Sequence, residues 1–518
     1  MLADMATQIA AARLLIYKAA RHLLLASCVP LSRLELLIDD LVPRSGTRIV
    51  WCDDSDGSAL RAARRMIGFG YTDVAVLDGG IAAWEAAGFR LYSGVHVPRK
   101  AFAEVVEHEA GTPYVTAPEL KALIDSGADI AIFDSRSYEE YHNNSIPTAI
   151  SVPGAELVYR FTDMVPSPET TVIVNCGGRT RSIIGAQALR NAGFPNKIMS
   201  LKDGTMAWHL SGFDVVHGAT RRPPEVSGSG RRAAIDAAAH VAKCSSIPEI
   251  DKEMLAAWRA EADKRTLYVL DVRTPEEYRA GHLAGARSAP GGQLVQETDA
   301  RIATWNARVV LVDDNGVHAT MTASWLKQMG WNDVAVLVAD PSGGDLETGL
   351  HLPRVLGLEG AVVASIEPAA LRDKVAAGAT LVIDLDTSRR YVQGHIAGAW
   401  FAIRSRLAED IGKLPQAETI VLTSPDGAVA RLTAAELAGS TKAAIMVLAG
   451  GTEAWIAAGL PLETRRTHMA SEPDDVVLWA RERGQGREEA MREYLAWEID
   501  LVNQMASNDD QRFRVVAG

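Results

Sequence analysis

The hydrophobic pattern of this chain is one of short apolar runs, rich in β-branched residues, alternating with stretches of helical spacing. The clearest example is TVIVNCGGRTRS (residues 171–182), followed by IIGAQAL (183–189). A run of that kind predicts a buried strand, then a tight loop, then the N-terminus of a helix. Three segments open alike: IAIFDSRSYEEY (130–141), LYVLDVRTPEEY (267–278) and LVIDLDTSRRY (381–391). Each reads as a buried strand ending in Asp and then a short helix closing on Tyr. Two of them continue into GHLAGA (281–286) and GHIAGA (394–399), while the first has NSIPTA (144–149). Glycine-tryptophan turns recur as LDGGIAAW (77–84), LKDGTMAW (201–208) and LAGGTEAW (448–455). The third unit reaches VAVL (334–337) and then lacks the tryptophan. Strands alternating with helices over short loops predict mainly parallel sheets covered by helices on both faces.

The repeat divides the chain into a degenerate first unit (1–100), a second (113–217), a linker (218–245), a third (246–350), a fourth (361–465) and a tail (466–518). The start of the linker, rich in Pro, Gly, Ser and Arg, predicts a flexible hinge. Residues 488–504 of the tail have helical apolar spacing and predict a docked C-terminal helix. The first unit shows no opening strand or Asp-x-Arg, and residues 1–20 read as helix-forming instead.

Composition narrows the chemistry. With 518 residues, 47% of them hydrophobic and 23% charged, the chain has the balance of a soluble multidomain protein. Its net charge of −12 argues against a nucleic-acid groove. The four cysteines (Cys28, Cys52, Cys176, Cys244) are too scattered for a disulfide framework, and none has metal-ligand spacing. No metal or cofactor is implied, and a reducing, cytoplasmic setting fits. Leu23 to Cys28 looks like a lipoprotein cleavage site, but the apolar run before it is shorter than the roughly 7–15 residues of a signal segment. No stretch approaches the roughly 18 apolar residues of a membrane span.

The loops that follow the central strands differ. The second unit has Cys176-Gly177-Gly178-Arg179-Thr180-Arg181, the third Asp313-Asp314-Asn315-Gly316, the fourth Ser424-Pro425-Asp426-Gly427. In the first, counting back from Trp84 and Trp208 puts Cys52 on Cys176, whereas the strand pattern of the third unit puts Asp53 there. Three aspartates within four residues of Cys52 repel a thiolate, so Cys52 is not expected to react. Cys176 has the opposite setting: a helix N-terminus and two arginines favour the thiolate. Gly177 and Gly178 let backbone N–H groups curl into an anion nest that continues to Ser182. Arg179 and Arg181 suit an anionic donor; for Arg181 a pair with an acidic residue such as Asp134 is an equal alternative. Asp134 and Arg136 are expected to brace the loop. His282 and His395 read as packing histidines.

Together these motifs resemble the rhodanese domain, and their order resembles bacterial proteins carrying four such domains. The resemblance implies an α/β fold of four tandem rhodanese-like domains. It also implies sulfur transfer from a small anionic, thiosulfate-like donor to a thiol or cyanide-like acceptor through a Cys176 persulfide; a protein acceptor is compatible with it. Two other readings stand beside it. A phosphatase would carry arginine six positions after the cysteine, where this chain has Ser182, so its loop is one residue short. A non-catalytic or persulfide-carrying scaffold is suggested by the three units without a reactive cysteine.

Overall fold

The computed structural model describes residues 13–15, 21–339, 346–378, 380–437, 439–476, 486–506 and 512–516. Each repeat forms its own parallel sheet. In spatial order, the first unit has Ser27–Cys28, Arg13–Leu15, Ile49–Cys52 and Val74–Val76. The second has Tyr114–Val115, Ile198–Leu201, Thr171–Asn175, Ile130–Asp134 and Ile150–Ser151. The third has Arg287–Ser288, Leu267–Asp271, Arg308–Asp313 and Val334–Val338. The fourth has Ser365–Ile366, Ala444–Leu448, Thr419–Thr423, Thr380–Asp384 and Trp400–Phe401. The central strands are buried on both faces, which is why they read as continuous apolar runs rather than alternating ones.

The recurring motif residues close short loops inside each unit. Tyr141, Tyr278 and Tyr391 each donate a hydroxyl hydrogen bond to the carbonyl of Ala149, Ala286 and Ala399, at 3.0, 2.8 and 2.6 Å. Trp84, Trp208 and Trp455 donate their indole N–H to the carbonyls of Arg90, Asp214 and Pro461. His282 and His395 stack on Tyr278 and Tyr391 with ring centroids 3.7 Å apart, and each ring Nδ1 meets the tyrosine carbonyl. They are packing histidines.

Three expectations are corrected. The first unit does have an opening strand: Arg13–Leu15 lies inside its sheet, parallel to both Ser27–Cys28 and Ile49–Cys52. Pairing with two strands outweighs the local helical tendency of the segment; residues 1–12 and 16–20 lie outside the described residues. The expected hinge, residues 218–232, is shortened at its end, because residues Gly228–Cys244 form a helix and only 218–227 lie before it. Ser227 caps it by accepting from the Gly230 N–H at 2.9 Å, and an alanine-rich face buries Ala234, Ala237, Ala238 and Val241 between the second and third units. Finally, the boundary at residue 100 falls within the helix Val97–Ala110, which packs against the helix Thr180–Asn191 of the second unit.

The middle of the molecule is one body. A continuous core runs from Phe102 and Val174 through Val241 to Leu311 and Trp325. Buried ion pairs tie units together: Glu156 of the second meets His318 of the third at 2.7 Å, and Arg404 of the fourth meets Glu35 of the first at 2.7 Å. The expected C-terminal helix spans Arg487–Ala506 and docks on Val97–Ala110. Among the described residues no helix is long and apolar enough to cross a membrane.

Candidate active site

Strand Thr171–Asn175 sits between Ile198–Leu201 and Ile130–Asp134, so Cys176 emerges at the carboxyl ends of the strands, where open α/β sheets place their sites. A buried network fixes its backbone. Arg136 holds Asp134 with two side-chain hydrogen bonds, at 2.8 and 2.7 Å, and donates to the Asn144 carbonyl at 2.6 Å. Asn175 then donates its amide to Asp134 and to Thr205 Oγ1, each at 3.2 Å. The Thr205 hydroxyl in turn donates to the Cys176 carbonyl at 3.0 Å. Asp134, Arg136, Asn175 and Thr205 thus form one buried hydrogen-bonded chain that ends on the Cys176 carbonyl.

The Cys176 side chain is 2% exposed, and its thiol donates to Ser182 Oγ at 3.4 Å. Ser182 itself donates to the Arg179 carbonyl at 2.8 Å. Thr180, Arg181 and Ser182 form the first turn of helix Thr180–Asn191, whose leading N–H groups have no acceptor within the helix.

The units without a cysteine at this position show what a side chain there meets. The Asp53 carboxylate accepts from the Ala59 N–H at 2.9 Å, and Asp313 accepts from Gly316 and Ala319 at 2.7 and 3.0 Å. Ser424 Oγ accepts from the Ala430 N–H at 3.2 Å. In each case the side chain reaches the residue six positions on, as Cys176 reaches Ser182. Main-chain geometry agrees: the carbonyls of Cys176, Asp53, Asp313 and Ser424 accept from Thr205, Ile81, Ala339 and Thr452. Asp53 is thus the counterpart of Cys176. Cys52, the last residue of its strand, packs with Leu23, Ala26, Ile81 and Trp84.

Glycine roles differ from expectation. Gly57, Gly316 and Gly427 of the silent loops take φ of +76°, +81° and +85°, whereas neither Gly177 nor Gly178 takes a positive φ. A Cβ at Gly178 would lie 2.9 Å from Met206 Cε, the movable end of a flexible side chain. The left-handed residues are in the tryptophan turn: Asp203 at φ +59° and Gly204 at φ +55°, and a Cβ on Gly204 would meet the Cys176 carbonyl oxygen at 2.4 Å. That close approach lets the tryptophan turn lie on the cysteine loop.

The arginines are also redistributed. Arg179, 4% exposed, bonds Glu104 at 2.7 Å through both Nε and Nη2, bonds Asp203 at 2.9 Å and also meets Glu107. It braces the loop rather than facing a donor anion, because three carboxylates engage its nitrogens. Burial, followed by the Glu498 and Glu107 charges, lifts Glu104 to about 7 despite the bonds from Arg179. Arg181 pairs with Glu140 at 2.6 and 3.0 Å, not with Asp134. Burial opposes its charge, but Glu140, with smaller contributions from Cys176 and Asp134, raises its pKa above the ordinary arginine value. Arg181 therefore contributes positive charge beside the sulfur while half its fork is occupied.

Cys176 opens into a cavity of about 660 Å³ that its own unit does not enclose alone. Met491, Tyr494 and Glu498 of the C-terminal helix form one wall, and Gln293 and Gln296 of the third unit another. Thr180 donates to Glu498 at 2.7 Å. These walls carry no motif in the sequence, since they lie outside the repeat of the second unit.

Comparison with known proteins agrees with this architecture. The chain matches the rhodanese-like domain family over residues 12–87, 116–211, 252–339 and 367–458. The crystal structure of thiosulfate sulfurtransferase from Pseudomonas aeruginosa is 45% identical, with a TM-score of 0.94, covering 99% of this chain and 98% of that one. The "Putative sulfur carrier protein YrkF" of Bacillus subtilis is 26% identical over 113 residues, or 22% of this chain. An HTH-type transcriptional regulator of Mycobacterium tuberculosis is 30% identical over 106 residues, or 20% of this chain. The chain spans 60% and 45% of the lengths of those two relatives. Four sheets of one topology, four matched segments and the motifs within them lead to one conclusion: the chain belongs to the rhodanese family, as a tandem array of rhodanese-like domains.

Proposed function

We propose that this rhodanese-type sulfurtransferase moves sulfane sulfur from a small anionic donor of the thiosulfate kind to a thiophilic acceptor through a persulfide on Cys176. The observation that carries the reading is the shared loop position. Two units fill it with carboxylates bonded to backbone N–H groups, and the second unit places there a sulfur that meets the Ser182 hydroxyl in the first turn of the helix that follows.

In the first half-reaction the Cys176 thiolate attacks the outer sulfur of thiosulfate. The new S–S bond forms as the donor's S–S bond breaks, and sulfite leaves with the electron pair. The persulfide anion then lies at the N-terminus of helix Thr180–Asn191, where the helix dipole and the Arg181 guanidinium favour negative charge. In the second half-reaction a thiol or cyanide takes the outer sulfur and the Cys176 thiolate returns. The depth of Cys176 favours small acceptors over a protein surface.

The test is mass spectrometry of the intact protein after incubation with thiosulfate. A gain of one sulfur atom, localised to Cys176, lost on adding cyanide and absent from Cys176→Ser, is the expected result. Steady-state transfer that survives Cys176→Ser overturns the proposal. A persulfide that forms but does not turn over with any acceptor would identify a carrier instead.

A further inference from the structure

Arg99 is the outlying cation of this site. It lies on the helix Val97–Ala110, outside the matched rhodanese segments, and is 3% exposed. It lines the Cys176 cavity, and its side chain makes no hydrogen bond or ion pair with any described residue; its Nε is buried without a partner. The other arginines that frame Cys176 differ: Arg136, Arg179 and Arg181 each hold a carboxylate. Guanidinium stays charged in proteins, and a buried charge is ordinarily paired. Burial accordingly lowers the Arg99 pKa, with Tyr494, Glu498 and Asp299 acting only from a distance and Arg181 opposing them. Across the cavity, Gln296 of the third unit also has a buried amide oxygen without a partner.

These groups have unmet demands of defined chemistry. A guanidinium matches a carboxylate through two parallel hydrogen bonds, and the amide seeks a polar group such as a peptide N–H. The cavity, at about 660 Å³, is the size that holds an organic ligand rather than a bare inorganic ion.

We propose that Arg99, with Gln293 and Gln296, forms a subsite for the carboxylate end of a small peptide-like thiol whose sulfur reaches Cys176. The inference rests on the Cys176 reading above and adds the class of organic substrate. As acceptor the thiol RSH attacks the outer sulfur of the Cys176 persulfide anion, releasing the Cys176 thiolate and RSSH. As donor the same molecule enters as its persulfide. The third unit, which has no cysteine, thereby supplies part of the substrate pocket.

The experiment uses the full chain, with glutathione as the probe thiol and cyanide and 2-mercaptoethanol as acceptors without a carboxylate. With thiosulfate as donor, Arg99→Gln is expected to lower the ratio of kcat/KM for glutathione to that for cyanide by about tenfold, through KM. Gln296→Ala is expected to lower it less. A second arm supplies glutathione persulfide as donor with cyanide as acceptor and distinguishes the two directions. Calorimetry of S-methylglutathione on Cys176→Ser reads the subsite without chemistry, and adding Arg99→Gln is expected to weaken binding by about tenfold. An unchanged ratio together with unchanged binding overturns the subsite, as does an equal loss for 2-mercaptoethanol. Transfer that persists in Cys176→Ser alone sinks the sulfurtransfer mechanism instead, so the two failures are separable.

Discussion

Thr180, four residues after Cys176, donates its hydroxyl to Glu498 of the C-terminal helix at 2.7 Å, and both side chains are buried. The other Glu498 oxygen is buried without a partner. One hydrogen bond thus holds the roof of the sulfur site to its floor. Thr180→Val is expected to leave a buried carboxylate unbonded, at a cost of about 1–3 kcal/mol, and to loosen the helix over Cys176. The check is the rate of Cys176 alkylation by iodoacetamide, which should rise severalfold. A rate equal to that of the wild type would show that the helix stays closed by packing alone.

The contact between the second and third units depends on pH through Glu156 and His318. The Glu156 carboxylate is held at about 2, burial opposing this and His318 outweighing it. His318 is raised to about 9, burial again opposing and Glu156 outweighing it. Glu156 contributes stability above its unfolded value near 4.5 and loses it as pH falls through 2. His318 contributes fully below its unfolded value near 6.5 and loses it as pH rises through 9. His318→Gln should therefore cost about 1–3 kcal/mol near pH 6, where Glu156 loses one charged partner and keeps Arg160 at 2.6 Å, and much less above pH 9.5. Thermal melts at the two pH values measure it.

The fourth unit lacks the arginine that pairs the strand-end aspartate in the second and third units. Asp384 is buried, and burial raises it to about 7, the hydrogen bond from the Asp386 N–H opposing this and the Asp386 charge adding to it. Its ionisation is free in the unfolded chain above the ordinary value of 3.8 but resisted in the folded one, so stability falls between about pH 4 and pH 7. Asp384→Asn is expected to stabilise the protein above pH 7 by about 2–4 kcal/mol and to change little below pH 4. A melting temperature that is unchanged at pH 8 would contradict this.

A cysteine alone does not make a silent loop work. Asp313→Cys removes a carboxylate that caps two N–H groups, so the third unit should lose about 1–2 kcal/mol. The position that Arg181 holds in the second unit is His318 here, and His318 is committed to Glu156. In a Cys176→Ser background this variant is expected to show no thiosulfate-dependent transfer; turnover above that background would mean that the nest suffices.

Much of this architecture is legible in the amino-acid sequence, and the reason is locality. Tyr278 closes on Ala286 eight residues later, and Trp208 on Asp214 six residues later, so each motif is written within one short segment. The contrast between Cys176, Asp313 and Ser424 is legible for the same reason, since each side chain answers to the helix that begins just after it. Tertiary structure decides the rest. Arg179 reads along the chain as a ligand for a donor anion, but Glu104, Glu107 and Asp203 converge on it in the fold. The strand Arg13–Leu15 exists through pairing with two strands that follow it. Glu498 reaches Thr180 across 318 residues of chain, and Arg99 and Gln296 line one cavity from different units. Local periodicity encodes which face of an element is buried, not what buries it. The cysteine loop belongs to the sequence; the walls of the cavity beside Cys176 exist only once the units pack.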